Sequence, residues 1–165
     1  MLETFIHRLH QIDPDLIVAH NLCGSTIEVL LARISMLRIS HWSRLGRLKR
    51  AQMPARKQDS FGSWIPRTVS CGRLLVDTFL NAKELLRETN YDLGHLARVQ
   101  LKQERKDFDE DMLPRFYQNY QYLEQLANHT ESDAYLTYNL MMHLQIVPLT
   151  KQLTTIAGNL WFRSL

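Results

Sequence analysis

Apolar residues open the chain at helical spacing. Phe5, Ile6 and Leu9 lie along one face of residues 2–12, the pattern of a short amphipathic helix. Asp13-Pro14-Asp15 ends it, because proline lacks an amide donor and clashes with the preceding turn. Leu16-Ile17-Val18-Ala19 is an apolar run too short for a helix and reads as a buried strand. It passes into His20-Asn21, after which Gly24-Ser25 can start a second helix. On that helix Ile27, Leu30, Leu31 and Ile34 form one apolar stripe. A strand, a loop and a helix in this order predict an α/β fold.

From about residue 39 to residue 68 the periodicity is lost. Trp42, Phe61 and Trp64 are scattered among basic residues, with Gly46, Pro54, Gly62 and Pro66 as breakers. A loop of more than about 15 residues within a compact domain is usually functional or disordered. Order returns after the Gly72-Arg73 turn with a second strand, Leu74-Leu75-Val76-Asp77-Thr78-Phe79. Helical patterns follow over residues 81–88, 92–101, 112–128, 131–146 and 149–157, with Pro148 separating the last two. There are no repeats and no low-complexity tract.

Composition narrows the classes. A length of 165 residues favours one domain, and 45% apolar residues suffice for a core. No apolar run reaches the roughly 20 residues that span a bilayer, so no membrane role is expected. The first residues, MLETFIHRLHQIDPDL, lack the long apolar stretch of a signal peptide. Cys23 and Cys71 are far apart and read as buried thiols of a reducing compartment.

Charge changes the picture more. Between Arg33 and Arg73 there are ten Lys/Arg residues and one acid, Asp59, while the remainder holds ten basic and sixteen acidic residues. Such a segment points to a polyanion: DNA, RNA or an acidic protein.

Several blocks carry a resemblance. DPDLIVAHN followed by an amphipathic helix resembles the second exonuclease motif of family B DNA polymerases. HWSRLGRLKRAQMP (His41 to Pro54) looks like an insertion of the alpha subfamily. CGRLLVDTFLNAKELLRETNYDLGHLA and PLTKQLTTIAGNLWFRSL are similar to the same subfamily. The likeness covers residues 11–165. It implies a partial, ribonuclease H-like (3'-5' exonuclease-like) domain over residues 1–165, with a helix-rich C-terminal half. Residues 39–68 then form a basic insertion, and residues 148–165 lead towards the palm. It further implies a nuclear replicative enzyme that works on DNA or an RNA-DNA primer-template with primase and accessory subunits, and that lacks proofreading.

The residues agree with that last implication. A proofreading site holds two metal ions about 3.5–4 Å apart, and hard divalent cations need clustered carboxylates. Active relatives supply Asp-x-Glu from a first strand, an Asp opening the second motif's helix, and Tyr-x-x-x-Asp. The first strand is expected to precede Met1. In the second motif Asn21 is kept, but Ser25 and Thr26 stand where active enzymes have Phe and Asp. Glu28 cannot replace Thr26, since two residues on a helix are about 200° apart. In the third motif Asp133 is kept and His129 takes the tyrosine position. No metal and no catalytic residue are therefore expected, with Asn21, Thr26, His129 and Asp133 as degenerate positions. Each has a plainer role open to it: Asp133 in the first turn of a helix, where it favours the dipole, His129 as a polar helix end, Asn21 bracing its turn through side-chain hydrogen bonds. His7 and His10 could share a metal but lack a third ligand. The polymerase's own palm motifs are also missing, so magnesium is expected only in a full polymerase.

What could still act is Arg44, Arg47, Lys49 and Arg50, extended by Arg56, Lys57 and Arg67. Guanidinium forks suit phosphate, and Trp42, Phe61 and Trp64 could either stack on bases or anchor the loop. Leu45 and Leu48 suggest anchoring. The alternatives are an active metal-dependent 3'-5' exonuclease and an independent basic nucleic-acid-binding module. An incomplete sheet with exposed apolar surface, and marginal stability, are expected.

Overall fold

The computed structural model describes residues 1–53, 68–106, 110–163 and 165. They divide into two compact units, Met1–Asp77 with Leu149–Leu165, and Thr78–Pro148.

In the first unit, helix α1 spans Leu2–Ile12 and buries Ile6. It ends on Asp13 in the left-handed region (φ 48), whose amide still reaches Leu9 O at 3.0 Å. The chain then extends into β1 (Leu16–Ala19), which pairs in parallel with β2 (Leu74–Asp77), Leu16 opposite Leu74 and Ala19 opposite Asp77. A parallel pair needs a long crossover, and residues 20–73 provide it, beginning with a five-residue π-helical turn (Leu22–Thr26) and helix α2 (Ile27–Met36).

The core of this unit joins α1, α2 and the start of the basic segment: Ile6, Leu31, Ile34, Ile39, Trp42, Leu45 and Val69. Residues 39–45 are therefore packed rather than looping free. A tight 3-10 turn, Trp42–Leu45, drives Trp42 and Leu45 inward, each only 6% exposed. Leu48, also expected to anchor the segment, is 53% exposed. Gly46 follows the turn because nothing larger fits. A Cβ there would stand 2.7 Å from Val69 O and 2.8 Å from Cys71 O, both backbone atoms. That close approach lets the Arg47 amide donate to Cys71 O at 2.8 Å, tying the segment to the chain entering β2.

Among the described residues the sheet has these two strands and the rest is mostly helical. All of β1, and Leu74 and Leu75 of β2, are only half-buried. Parallel strands are normally covered on both faces, whereas these six positions are only partly covered and none is fully open. Helix α7 (Ile146–Ala157) contributes its residues from Leu149 onward to this unit: Thr150 and Thr154 are buried, while Leu153 is 55% and Ile156 85% exposed.

The second unit holds α3 (Thr78–Leu85), α4 (Leu93–Leu96) with a π-helical turn over Ala97–Leu101, α5 (Leu113–Phe116) and α6 (Tyr120–His143). Ala82, Leu96 and Leu140 form its core, with Tyr91 and Leu144 packed against it. Two expected helices, 112–128 and 131–146, prove to be one long helix, α6, preceded by the short α5. The Asn119 side chain caps α6 by accepting from the Gln121 amide at 3.2 Å. The polar run His129-Thr130-Glu131-Ser132-Asp133 looks like a helix start but contains no Gly or Pro. Thr130 and Thr137 bond back to Leu126 O and Asp133 O, both at 2.8 Å, within the helix. Pro148 also does not separate two helices. It sits in the first turn of α7, where no amide partner is lost, and the break falls at left-handed Gln145 (φ 49).

No described helix is long and apolar enough to cross a membrane.

Candidate functional site

The second-motif residues sit where β1 gives way to α2. Asn21 takes a left-handed conformation (φ 56), which turns the backbone amides of the π-helical turn towards the end of β2. There the Asp77 carboxylate, on a residue 3% exposed, accepts from the Asn21 amide at 2.9 Å and from the Cys23 amide at 2.8 Å. Asn21 thus braces its turn through its main chain, and among the described residues its side chain makes no capping hydrogen bond of the kind expected of it. Its side chain lies against Gly24, where a Cβ would come 2.1 Å from Asn21 Oδ1. Thr26 is exposed, and its hydroxyl donates a long 3.4 Å bond to Asn21 O. Asp77 escaped the motif analysis. Its signal was an acid closing an apolar strand, in a position where a buried charge requires partners.

The third-motif residues are in the other unit, on the inner turns of α6 rather than at a helix end, so neither the first-turn role for Asp133 nor the helix-end role for His129 holds. Arg105 grips Asp133 with both prongs, Nε to Oδ1 and Nη2 to Oδ2, each at 2.7 Å. His129 Nδ1 stands 3.6 Å from Asp133 Oδ1. Charge-assisted bidentate pairing is among the stronger polar contacts, and it sets a guanidinium charge against both oxygens that a divalent cation would approach. Arg105 carried no sequence signal, being 28 residues from its partner. Among the described residues no three His, Cys, Asp or Glu side chains are placed to hold a metal ion. His7 and His10 gain no third ligand there.

The basic cluster divides in two. Arg47 is tied down: Nε to Asp13 Oδ1 at 2.9 Å, Nη2 to Asp15 Oδ1 at 2.6 Å and to Asp13 O at 2.9 Å, and Nη1 to Gly72 O at 3.1 Å. The Arg47 hydrogen bond, aided by Arg73 and opposed by burial, holds the Asp13 carboxyl below the usual carboxylate range. Asp13 and then Asp15 push Arg47 up in turn. Arg47 is therefore committed to carboxylates rather than offered to phosphate. Arg73 lies buried behind it. Arg44, Lys49 and Arg50 are different: among the described residues none pairs with them, and Lys49 and Arg50 are exposed. Trp42 anchors the segment from the core and is closed to stacking. Phe61, Trp64, Arg56, Lys57 and Arg67 lie outside the described residues. Cys23 and Cys71 are not joined in a disulfide and are half-buried rather than buried.

Comparisons with known proteins give the family. The family model for the DNA polymerase family B exonuclease domain matches residues 1–96. Over its whole length the chain is 64% identical to the DNA polymerase alpha catalytic subunit of Sterkiella nova, covering 12% of that protein. It is 41% identical to that of Arabidopsis thaliana and 38% identical to that of Mus musculus, covering 11% of each. The chain thus spans about an eighth of the length of these relatives. It belongs to the exonuclease-domain family of the family B DNA polymerases.

Proposed function

We propose that this chain is a non-catalytic, exonuclease-like segment of a DNA polymerase alpha catalytic subunit, with a ribonuclease H-like ancestry to its fold. Its role is architectural and DNA-contacting, in replication initiation and primer extension in the nucleus. The full subunit supplies nucleotidyl transfer, magnesium, and the contacts with primase and accessory subunits. Identity to alpha catalytic subunits over the whole length of this chain supports that assignment. The observation that carries the absence of nuclease chemistry is the Arg105 fork on Asp133. The one carboxylate that survives in the recognised motifs already has both oxygens engaged, and Thr26 offers only a hydroxyl.

The test is a cleavage assay. The 165-residue chain is incubated with end-labelled single-stranded and primer-template DNA, with and without magnesium. We expect no magnesium-dependent shortening. Shortening that disappears in an Asp133→Asn variant would overturn the proposal.

A further inference from the structure

We infer that a groove beside the end of α1 is a phosphate-contact site, and that it grips a nucleic-acid strand by its backbone without reading its bases. This rests on the reading above that the chain touches nucleic acid, and it assigns the contact to one place and one chemistry. The groove measures about 580 Å³, and His10, Ser40, His41, Arg44, Lys49 and Arg50 contribute to its lining.

The charge balance comes first. Asp13 and Arg47 also line the groove. With Asp15 and Arg73 they form a closed set of two carboxylates and two guanidiniums whose charges cancel. What is left is three cations, Arg44, Lys49 and Arg50, with no partner among the described residues. Serine hydroxyls and histidine rings beside them add donors that suit phosphate oxygens. Three uncompensated cations in one concavity concentrate positive potential there.

Presentation comes second. The cations do not hang from a loose loop. Arg44 is part of the turn whose Trp42 and Leu45 are in the core, and Lys49 and Arg50 follow Arg47, which is fastened at four points. A held backbone lowers the ordering cost on binding. Base reading comes third. The described lining includes no Phe, Tyr or Trp, and Trp42, in the same turn as Arg44, is buried. Phosphate contacts position a strand but carry no sequence information.

The test measures binding of the 165-residue chain to labelled oligo-dT, a mixed-sequence DNA strand and a matched RNA, between 50 and 200 mM KCl. Three phosphate contacts predict a slope of log K against log salt of about −2 for single strands. Affinities for the three ligands should agree within about threefold. Arg44→Gln, Lys49→Gln and Arg50→Gln should each flatten the slope by about 0.7, and circular dichroism should show all three folded. If the triple variant binds with an unchanged slope, the groove is the wrong place, although the DNA-contacting role stands. If the folded chain binds no oligonucleotide even at the lowest salt, that role fails together with the groove. A tenfold preference between sequences overturns backbone-only contact. Tighter binding of poly-glutamate than of an oligonucleotide of equal charge would assign the groove to an acidic protein instead.

Discussion

Arg73→Met is expected to destabilise the chain by about 2–4 kcal/mol, the loss that follows when a buried charged donor is taken from several acceptors at once. Its side chain has no solvent exposure. The guanidinium joins three stretches that are distant in sequence: it donates to Leu45 O at 3.2 Å and to Pro14 O, and meets Asp13 Oδ1 at 2.8 Å. These bonds hold the end of α1, the Trp42 turn and the entry to β2 together. Methionine fills much of the volume but leaves the two carbonyls without a donor. One nitrogen, Nη2, is buried without a hydrogen-bond partner among the described residues, so the net loss should fall short of the full value of every bond. Arg47→Met, at the more exposed end of the same cluster, should cost less because water can replace what it loses. Urea midpoints of the two variants decide the matter: a larger drop for Arg47→Met would mean that the staple lies at the surface. The cluster also sets a pH dependence. Asp13 has its folded-state carboxyl pKa depressed, first by Arg47. Its contribution is therefore present above the ordinary value of 3.8 and is lost as the pH falls through the lower folded value. Asp13→Asn should flatten that acid limb of the stability profile.

Where local pattern and packing agree, the fold was legible in the sequence. Residues 2–12 form a helix because apolar spacing and Asp13-Pro14 act over one or two turns, and α2 buries Ile27, Leu31 and Ile34 from the stripe that predicted it. The errors have a common physical origin. The polar run around Thr130 resembles a cap, yet in the interior of a helix its hydroxyls can serve the helix's own carbonyls. Pro148 reads as a breaker until the helix is known to begin at Ile146. The irregular stretch after residue 38 lacked any period because a four-residue turn is too short to show one, even though Trp42 is core.

The candidate site was legible by type and not by pairing. Four cations in seven residues were visible, but nothing local told Arg47 from Arg44. The distinction comes from Asp13 and Asp15, brought alongside by the pairing of β1 with β2. Ser25-Thr26 in the second motif could be read directly, whereas the Arg105 that engages Asp133 could not.

Asp77→Asn is the substitution that best separates architecture from residual chemistry. The carboxylate accepts from two amides of the turn that follows β1. Carboxamide has one acceptor oxygen, so one amide, of Asn21 or Cys23, must face an NH₂ group instead. Hydrogen bonds to a charged group contribute roughly 1.5–3 kcal/mol each, and we expect a loss of about 2–3 kcal/mol. The damage should be local before it is global. Exchange of the Asn21 and Cys23 amide protons should accelerate more than that of the β2 amides near Val76, which is fully buried. Thr26→Val, by contrast, removes one long bond at an exposed position and should change stability by less than about 0.5 kcal/mol. If Asp77 instead served a metal, the substitution would remove magnesium binding while leaving the two amides protected. Fast exchange with no metal response places this acid among the ties of the fold. The turn that leads to Thr26 is then held by a carboxylate from the neighbouring strand.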